Sequence, residues 1–282
     1  MDKRQIRDIS KNFYKTTYEM LVKKAKSEDL TKLYTFISKE KLKRSTIRNH
    51  LNAVICYYKQ EGLEDVKLNK LKKLRDVINT EIKKKYENGD NLTDNQKSAL
   101  DVLTIEKLED LVDKLRNSRT ESRLSFEKYL ILAILTEIHL RNDIKDLKIV
   151  KNLKGLDDKQ NYLYINKTNQ VQVIINYHKT SSVYGTIEQK LSVELSNDIK
   201  QFIKLYPDRT YLFEKAPGVA LTSHAISDRL IALFQKEFKI NATSTTIRKL
   251  FTSKYSKEFK AIKEESKMQG HSLQVASNIY TN

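Results

Sequence analysis

Apolar positions return every three or four residues through the first third of the chain, which predicts helices rather than strands. Residues 5–27 place Phe13, Tyr14, Tyr18 and Leu21 on one face, with charged residues between them. Leu30, Leu33, Tyr34 and Ile37 make the stripe of a second helix. Ile47, Leu51, Val54, Ile55 and Tyr58 make that of a third, with Ser45 as its expected cap and Gly62 as its stop. A fourth carries Leu68, Leu71, Leu74, Ile78 and Ile82 and runs into Lys83-Lys84-Lys85. Short amphipathic helices in this succession predict a small bundle. The pattern then breaks at Glu87–Asn91 and Thr93–Asn95, a polar stretch containing glycine. The expected division is a helical domain over 1–88, a linker over 89–102 and a second domain over 103–282.

The second domain opens on Leu103-Thr104-Ile105-Glu106, a capped helix start with an acid in its first turn. Residues 121–140 predict a helix, nearly continuous in apolar residues from Tyr129 to Leu135, that forms the buried centre. The period then changes to two. Asn161–Asn166 and Val171–His178 predict paired strands, with Val171, Val173, Ile175 and Tyr177 on one face. Lys190–Leu195 predicts a third strand, and residues 179–189 a polar connection. Helices resume at Asp198, over 223–236 with Ile226, Leu230 and Leu233 inward, and over 245–255. The fold class expected is mainly α with a small antiparallel β-sheet.

Charge narrows the partners. Lys and Arg number 53 against 36 Asp and Glu, a formal +17 spread along all 282 residues. An AT-rich genome would explain some of the lysine but not the shortage of acids. A dispersed basic excess points to a polyanion, nucleic acid before a membrane surface. At the start of the third predicted helix Lys41, Lys43, Arg44, Arg48 and His50 form a candidate DNA-binding cluster, although each alone reads as a solvated charge. The single cysteine, Cys56, follows Val54 and Ile55 and is expected in the core. It excludes an internal disulfide and a thiolate metal cluster, and fits a reducing compartment. No secretory start and no membrane-length apolar run stands in the sequence, so an intracellular, DNA-associated protein is expected.

The candidate chemistry gathers towards residue 282. Thr245-Thr246-Ile247-Arg248-Lys249-Leu250-Phe251 puts an arginine on a helix, Gly270-His271-Ser272 makes a turn, and Tyr280 follows His271 by nine residues. A tyrosine nucleophile, an arginine for the anion and a histidine as donor can attack a phosphodiester without a metal. Each piece alone has a plainer reading: an inert tyrosine, a turn histidine, and for Arg141 an ordinary ion pair with Glu137 one helical turn back. Arg248 has no acid at those offsets.

In order along the chain, His139–Leu147, His178–Val193, Thr245–Phe251 and Met268–Thr281 resemble the four boxes of the tyrosine recombinase (phage integrase) family, related to type IB topoisomerases. Ser45–Val54 resembles part of that family's core-DNA-binding domain. The resemblance implies an N-terminal helical DNA-binding bundle and a C-terminal integrase-like catalytic domain. It implies that Tyr280 attacks the scissile phosphate to give a 3′-phosphotyrosyl link and a free 5′-hydroxyl. Arg141 and Arg248 would clamp the non-bridging oxygens, Lys179 would protonate the departing 5′-oxygen, with Lys190 a poorer candidate, and His271 would hydrogen-bond the phosphate. No metal, ATP or other cofactor is implied, and the working state would be a homotetramer on two DNA sites.

Three departures from the family pattern stand out. Thr245 occupies a position where the family has histidine. Asp143, the acid after Arg141, is one residue nearer than usual, which leaves Asp146 as its alternative. The expected chain has no arm-binding domain before the bundle and only Thr281 and Asn282 after Tyr280. The alternatives kept open are a type IB topoisomerase and a catalytically weakened DNA-binding relative.

Overall fold

The apolar stripes of the first third do close on one another. The computed structural model describes residues 8–87, 92–168 and 170–254, and His271 and Tyr280 lie outside them. Two compact units divide between Leu92 and Thr93. In the first, α1 (Asp8–Ala25), α2 (Leu30–Lys39), α3 (Arg44–Gln60) and α4 (Asn69–Glu87) surround Tyr18, Leu21, Leu33, Ile37, Leu51, Val54, Leu71 and Ile78. Tyr18 stacks on Tyr57 at 3.7 Å, and burial, followed by the neighbouring Tyr58, pushes its phenol far above the usual range. Cys56 lies in this unit, buried. Two local expectations change. Phe13 is exposed rather than inward. Helix α3 begins one residue before Ser45, with Lys43 at its N-cap and no side-chain cap bond.

The second unit starts earlier than the polar composition suggested. Thr93 and Gln96 form a reciprocal capping box, so much of the expected linker is helix α5 (Asp94–Val102). Its Ala99 belongs to the larger core. Helix α6 (Ile105–Asn117) follows, with the Thr104 hydroxyl accepting from the Lys107 amide at 3.2 Å. Helix α7 (Arg123–Ile138) is the centre: Phe126, Tyr129 and every residue from Leu130 to Leu135 are buried. Buried carboxylates join it to its surroundings. Glu127 takes Arg123 at 2.9 Å and Arg229 at 2.6 Å, while Asp198 takes Arg116 at 2.9 Å and the Tyr129 hydroxyl at 2.6 Å.

The four-stranded sheet has the order β1 (Lys148–Val150), β2 (Tyr162–Ile165), β3 (Val171–Ile175), β4 (Ile187–Lys190). The expected pairing of the two central strands is present, with Tyr162 opposite Ile174. The sheet is mixed rather than wholly antiparallel, because β1 runs parallel to β2. A short turn of helix, α8 (Ser181–Tyr184), lies between β3 and β4. The strand expected over 190–195 ends at Lys190. The Ser192 hydroxyl accepts from the Leu195 amide at 3.2 Å and starts α9 (Val193–Leu205), leaving Val193 outside and Leu195, Ile199 and Phe202 inside. A small hairpin of β5 (Glu214–Ala216) and β6 (Val219–Ala220) precedes α10 (Ser223–Phe238) and α11 (Ser244–Lys254). Among the described residues no helix is long and apolar enough to cross a membrane.

Candidate active site

Helix α7 delivers the first arginine. At its end His139 adopts a left-handed conformation (φ 50°, ψ 28°) while its amide still reaches the Leu135 carbonyl. The chain turns out of the buried helix there. Arg141 follows in extended backbone and leads into a 3-10 turn, Asn142–Asp146, anchored by fully buried Ile144. Arg141 is half-buried. Glu137, its expected local partner, instead accepts from the Ser192 amide at 2.6 Å and the Ser192 hydroxyl at 2.8 Å.

The second arginine comes from α11. Buried Ile247 and Leu250 seat that helix in the core and leave Arg248 half-buried on another face. Thr245, three residues earlier, shares Arg248's side of the helix. Helix α11 is tied to the turn after α7 at two points. The Ser244 hydroxyl donates to Asn142 Oδ1 at 2.6 Å, and the His139 ring packs on Phe251 with centroids 3.9 Å apart. Lys249 reaches back to Gln96 Oε1 of α5 at 2.8 Å. Burial lowers the His139 imidazole below its usual range, so this stacked ring is favoured neutral.

These ties bring Arg141, Asp143 and Arg248 within electrostatic reach of one another. Burial first, and then the Arg141 charge, push the Arg248 guanidinium down from its ordinary value, while Asp143 works the other way. Guanidinium basicity is high enough that it stays protonated. The Asp143 carboxyl is pushed up by burial, against the pull of His178, Lys145 and Arg141. Of the two candidate acids it is therefore Asp143 that stands in the field of the arginines. Asp146 accepts from Asn161 Nδ2 at 3.1 Å and from its neighbour Lys145. Among the described residues neither the Arg141 nor the Arg248 guanidinium has a hydrogen-bond or ion-pair partner. Two arginines within electrostatic reach of each other, beside a carboxyl that burial disfavours as an anion, suit two oxygens of one anion.

Lys179 lies on an exposed turn between β3 and α8. Its predecessor His178 is buried, with Nε2 2.9 Å from the Gly185 carbonyl, and reaches Asp143 electrostatically. Asn161 explains the approach. Only 2% exposed, it donates to the carbonyls of Asp143 and Tyr177, both at 3.2 Å, and accepts from the Tyr177 amide at 2.9 Å. It thereby fastens the turn after Arg141 to the backbone just before Lys179. Asn161, Asn142 and His178 were not singled out from sequence. An asparagine that bonds backbone groups far along the chain leaves no spacing to find.

The candidate DNA-binding cluster of the first unit divides. Lys41 and Lys43 are exposed and Arg48 is half-buried, whereas Arg44 pairs with Glu81 at 3.0 Å. His50 is corrected: its ring is buried and its Nδ1 lies 2.7 Å from Glu40 Oε2, so it holds the α2–α3 turn from inside.

No family model matches the chain, and no curated protein matches it. Among solved structures it is similar to the Tn1549 transposon integrase, residues 82–397, in complex with circular intermediate DNA, at 15% identity and TM-score 0.39, covering 95% of this chain and 94% of that one. A tyrosine-to-phenylalanine form of the same integrase with transposon right end DNA gives 16% and 0.41 over the same shares. The XerH site-specific recombinase bound to its difH substrate gives 15% and 0.41, over 99% of this chain and 95% of that one. TM-scores below 0.5 leave the function to be read from the side chains.

Proposed function

We propose that this chain is a tyrosine recombinase, a DNA strand transferase that cleaves and rejoins duplex DNA through a 3′-phosphotyrosyl intermediate. The observation that carries the reading is the pair of half-buried guanidinium groups, Arg141 and Arg248, from distant elements and within electrostatic reach of each other, with no hydrogen-bond or ion-pair partner among the described residues. Such a pair is costly to keep unless a dianionic, pentacoordinate phosphorus is what it awaits. Tyr280 supplies the attacking oxygen. A phenol ionises near about pH 10, so attack at neutral pH requires cations beside the Tyr280 oxygen. The phenolate oxygen bonds to phosphorus, the bond to the 5′-oxygen breaks, and Lys179 passes that oxygen a proton. His271 donates a hydrogen bond to the phosphate. Attack by a 5′-hydroxyl of another strand reverses the step, and a tetramer on two sites would turn cleavage into exchange. The basic excess and the exposed Lys41 and Lys43 supply the DNA-facing charge.

A duplex nicked just beyond the cleavage position traps the intermediate, because the short 5′-fragment diffuses away. Wild type is expected to form a covalent protein–DNA adduct and Tyr280→Phe none. Equal absence of adduct in both sinks the reading. Thr245 favours a second one, a DNA-binding relative with weakened chemistry, because its hydroxyl can donate one hydrogen bond but cannot carry charge. That relative would bind DNA in a salt-sensitive way, unaffected by Tyr280→Phe, and form no adduct.

A further inference from the structure

The turn that carries Arg141 and the helix that carries Arg248 are far apart in sequence, and one side chain joins them. Asn142 Nδ2 donates to the Ser223 carbonyl at 2.7 Å and to the Ser227 hydroxyl at 2.8 Å, both in the first turns of α10. Its Oδ1 accepts from the Ser244 hydroxyl at 2.6 Å, at the start of α11. Both amide protons and one carbonyl lone pair are thus engaged by protein. Ser244 is 3% exposed, so water cannot easily replace that bond. On the other side of Arg141, His139 packs on Phe251. Arg141 is flanked by the two braced residues 139 and 142, and Arg248 by their partners 244 and 251.

We propose that Asn142 is a positioning residue that sets the separation and mutual orientation of the two guanidinium groups. The proposal rests on the anion-clamp reading above. Like charges within electrostatic reach of each other push apart, and a 3-10 turn has little regular structure of its own to resist that push. Asn142 opposes it by fastening the residue next to Arg141 to both α10 and α11. Its amide is engaged by those helices, so it acts on the phosphate only through Arg141.

The test measures single-turnover adduct formation on the nicked duplex. Asn142→Ala is expected to slow it about ten- to hundredfold, the loss that a small misplacement of a reacting group produces. DNA affinity is expected to change little. In an Arg141→Ala background the same substitution is expected to add no further loss, because residues acting through one another are not additive. Ser244→Ala, which removes one of the three bonds, is expected to give a smaller loss in the same direction. An unchanged rate in Asn142→Ala overturns the proposal, as does an undiminished second loss on top of Arg141→Ala. Where Asn142→Ala melts early, Ser244→Ala decides. If wild type forms no adduct, it is the tyrosine chemistry that fails. The brace is then judged by titrating inorganic phosphate against the guanidinium Nε–H signals of Arg141 and Arg248. Both are expected to shift together in wild type, and to need severalfold more phosphate in Asn142→Ala. Identical titrations would refute the brace.

Discussion

Among the described residues Arg141 and Arg248 are each half-buried with no counter-charge bonded to them, and each lies within electrostatic reach of the other. Replacing either by alanine is expected to lower the adduct-forming rate about a hundred- to a thousandfold, the usual loss of one preorganised donor at a developing charge. Binding to a long duplex should change far less, which a gel-shift titration beside the rate measurement would check. Asp143 makes a pH prediction. Burial raises its folded pKa above the unfolded value of about 3.9, so the ionised carboxylate is disfavoured in the fold. Wild type is favoured most below the unfolded pKa and loses that contribution as pH rises through the folded one. Asp143→Asn carries no charge, so its stability relative to wild type should grow from about pH 4 upward and then level off. Urea melts at several pH values measure this; a difference that shrinks with rising pH would contradict it. The order of the boxes singled out the two arginines, and the fold brings them within electrostatic reach of each other. That order left Asp143 and Asp146 both open, because they lie on one short turn and only folding sets Asp143 in the field of Arg141 and Asp146 on Asn161.

Helix α7, with its unbroken apolar run, and the helices of the first unit, with their regular stripes, could be read directly from residue spacing. Where the pattern misled, a capping residue had outweighed it. Ser192 turned the alternation of Leu191, Val193 and Leu195 into the start of α9, and the Thr93–Gln96 box turned a polar stretch into α5. The α2–α3 turn shows the same limit. His50 belongs by sequence to a basic cluster but by packing to the core, because Glu40 waits for it at 2.7 Å. His50→Leu is expected to cost about 1–3 kcal/mol, since it leaves the poorly hydrated Glu40 carboxylate without its partner. Lys41→Ala and Lys43→Ala should weaken DNA binding without that loss. Thermal melts paired with binding isotherms separate the two behaviours, and a His50 variant that keeps full stability would restore it to the surface.

Each unit has a hydrophobic core of its own, one built on α1–α4 and the other on α7 and the sheet. Two transitions are therefore expected on heating, one assignable to each core; a single transition with equal calorimetric and van't Hoff enthalpies would say otherwise. With a formal charge of +17, the proposed DNA binding is expected to be steeply salt-dependent. Each neutralised phosphate contributes about −0.9 to the slope of log affinity against log salt, so several contacts should give a slope of about −4 or steeper. A slope near −1 would mean that the dispersed lysines do not meet the backbone.

The bond from Ser244 to Asn142 spans 102 positions of the chain. During synthesis the turn at Arg141 leaves the ribosome long before α11 exists to complete it. A polypeptide that stops short of α11 lacks both Arg248 and the Ser244 hydroxyl that holds Asn142, so on the proposed reading it is expected to form no adduct with the nicked duplex.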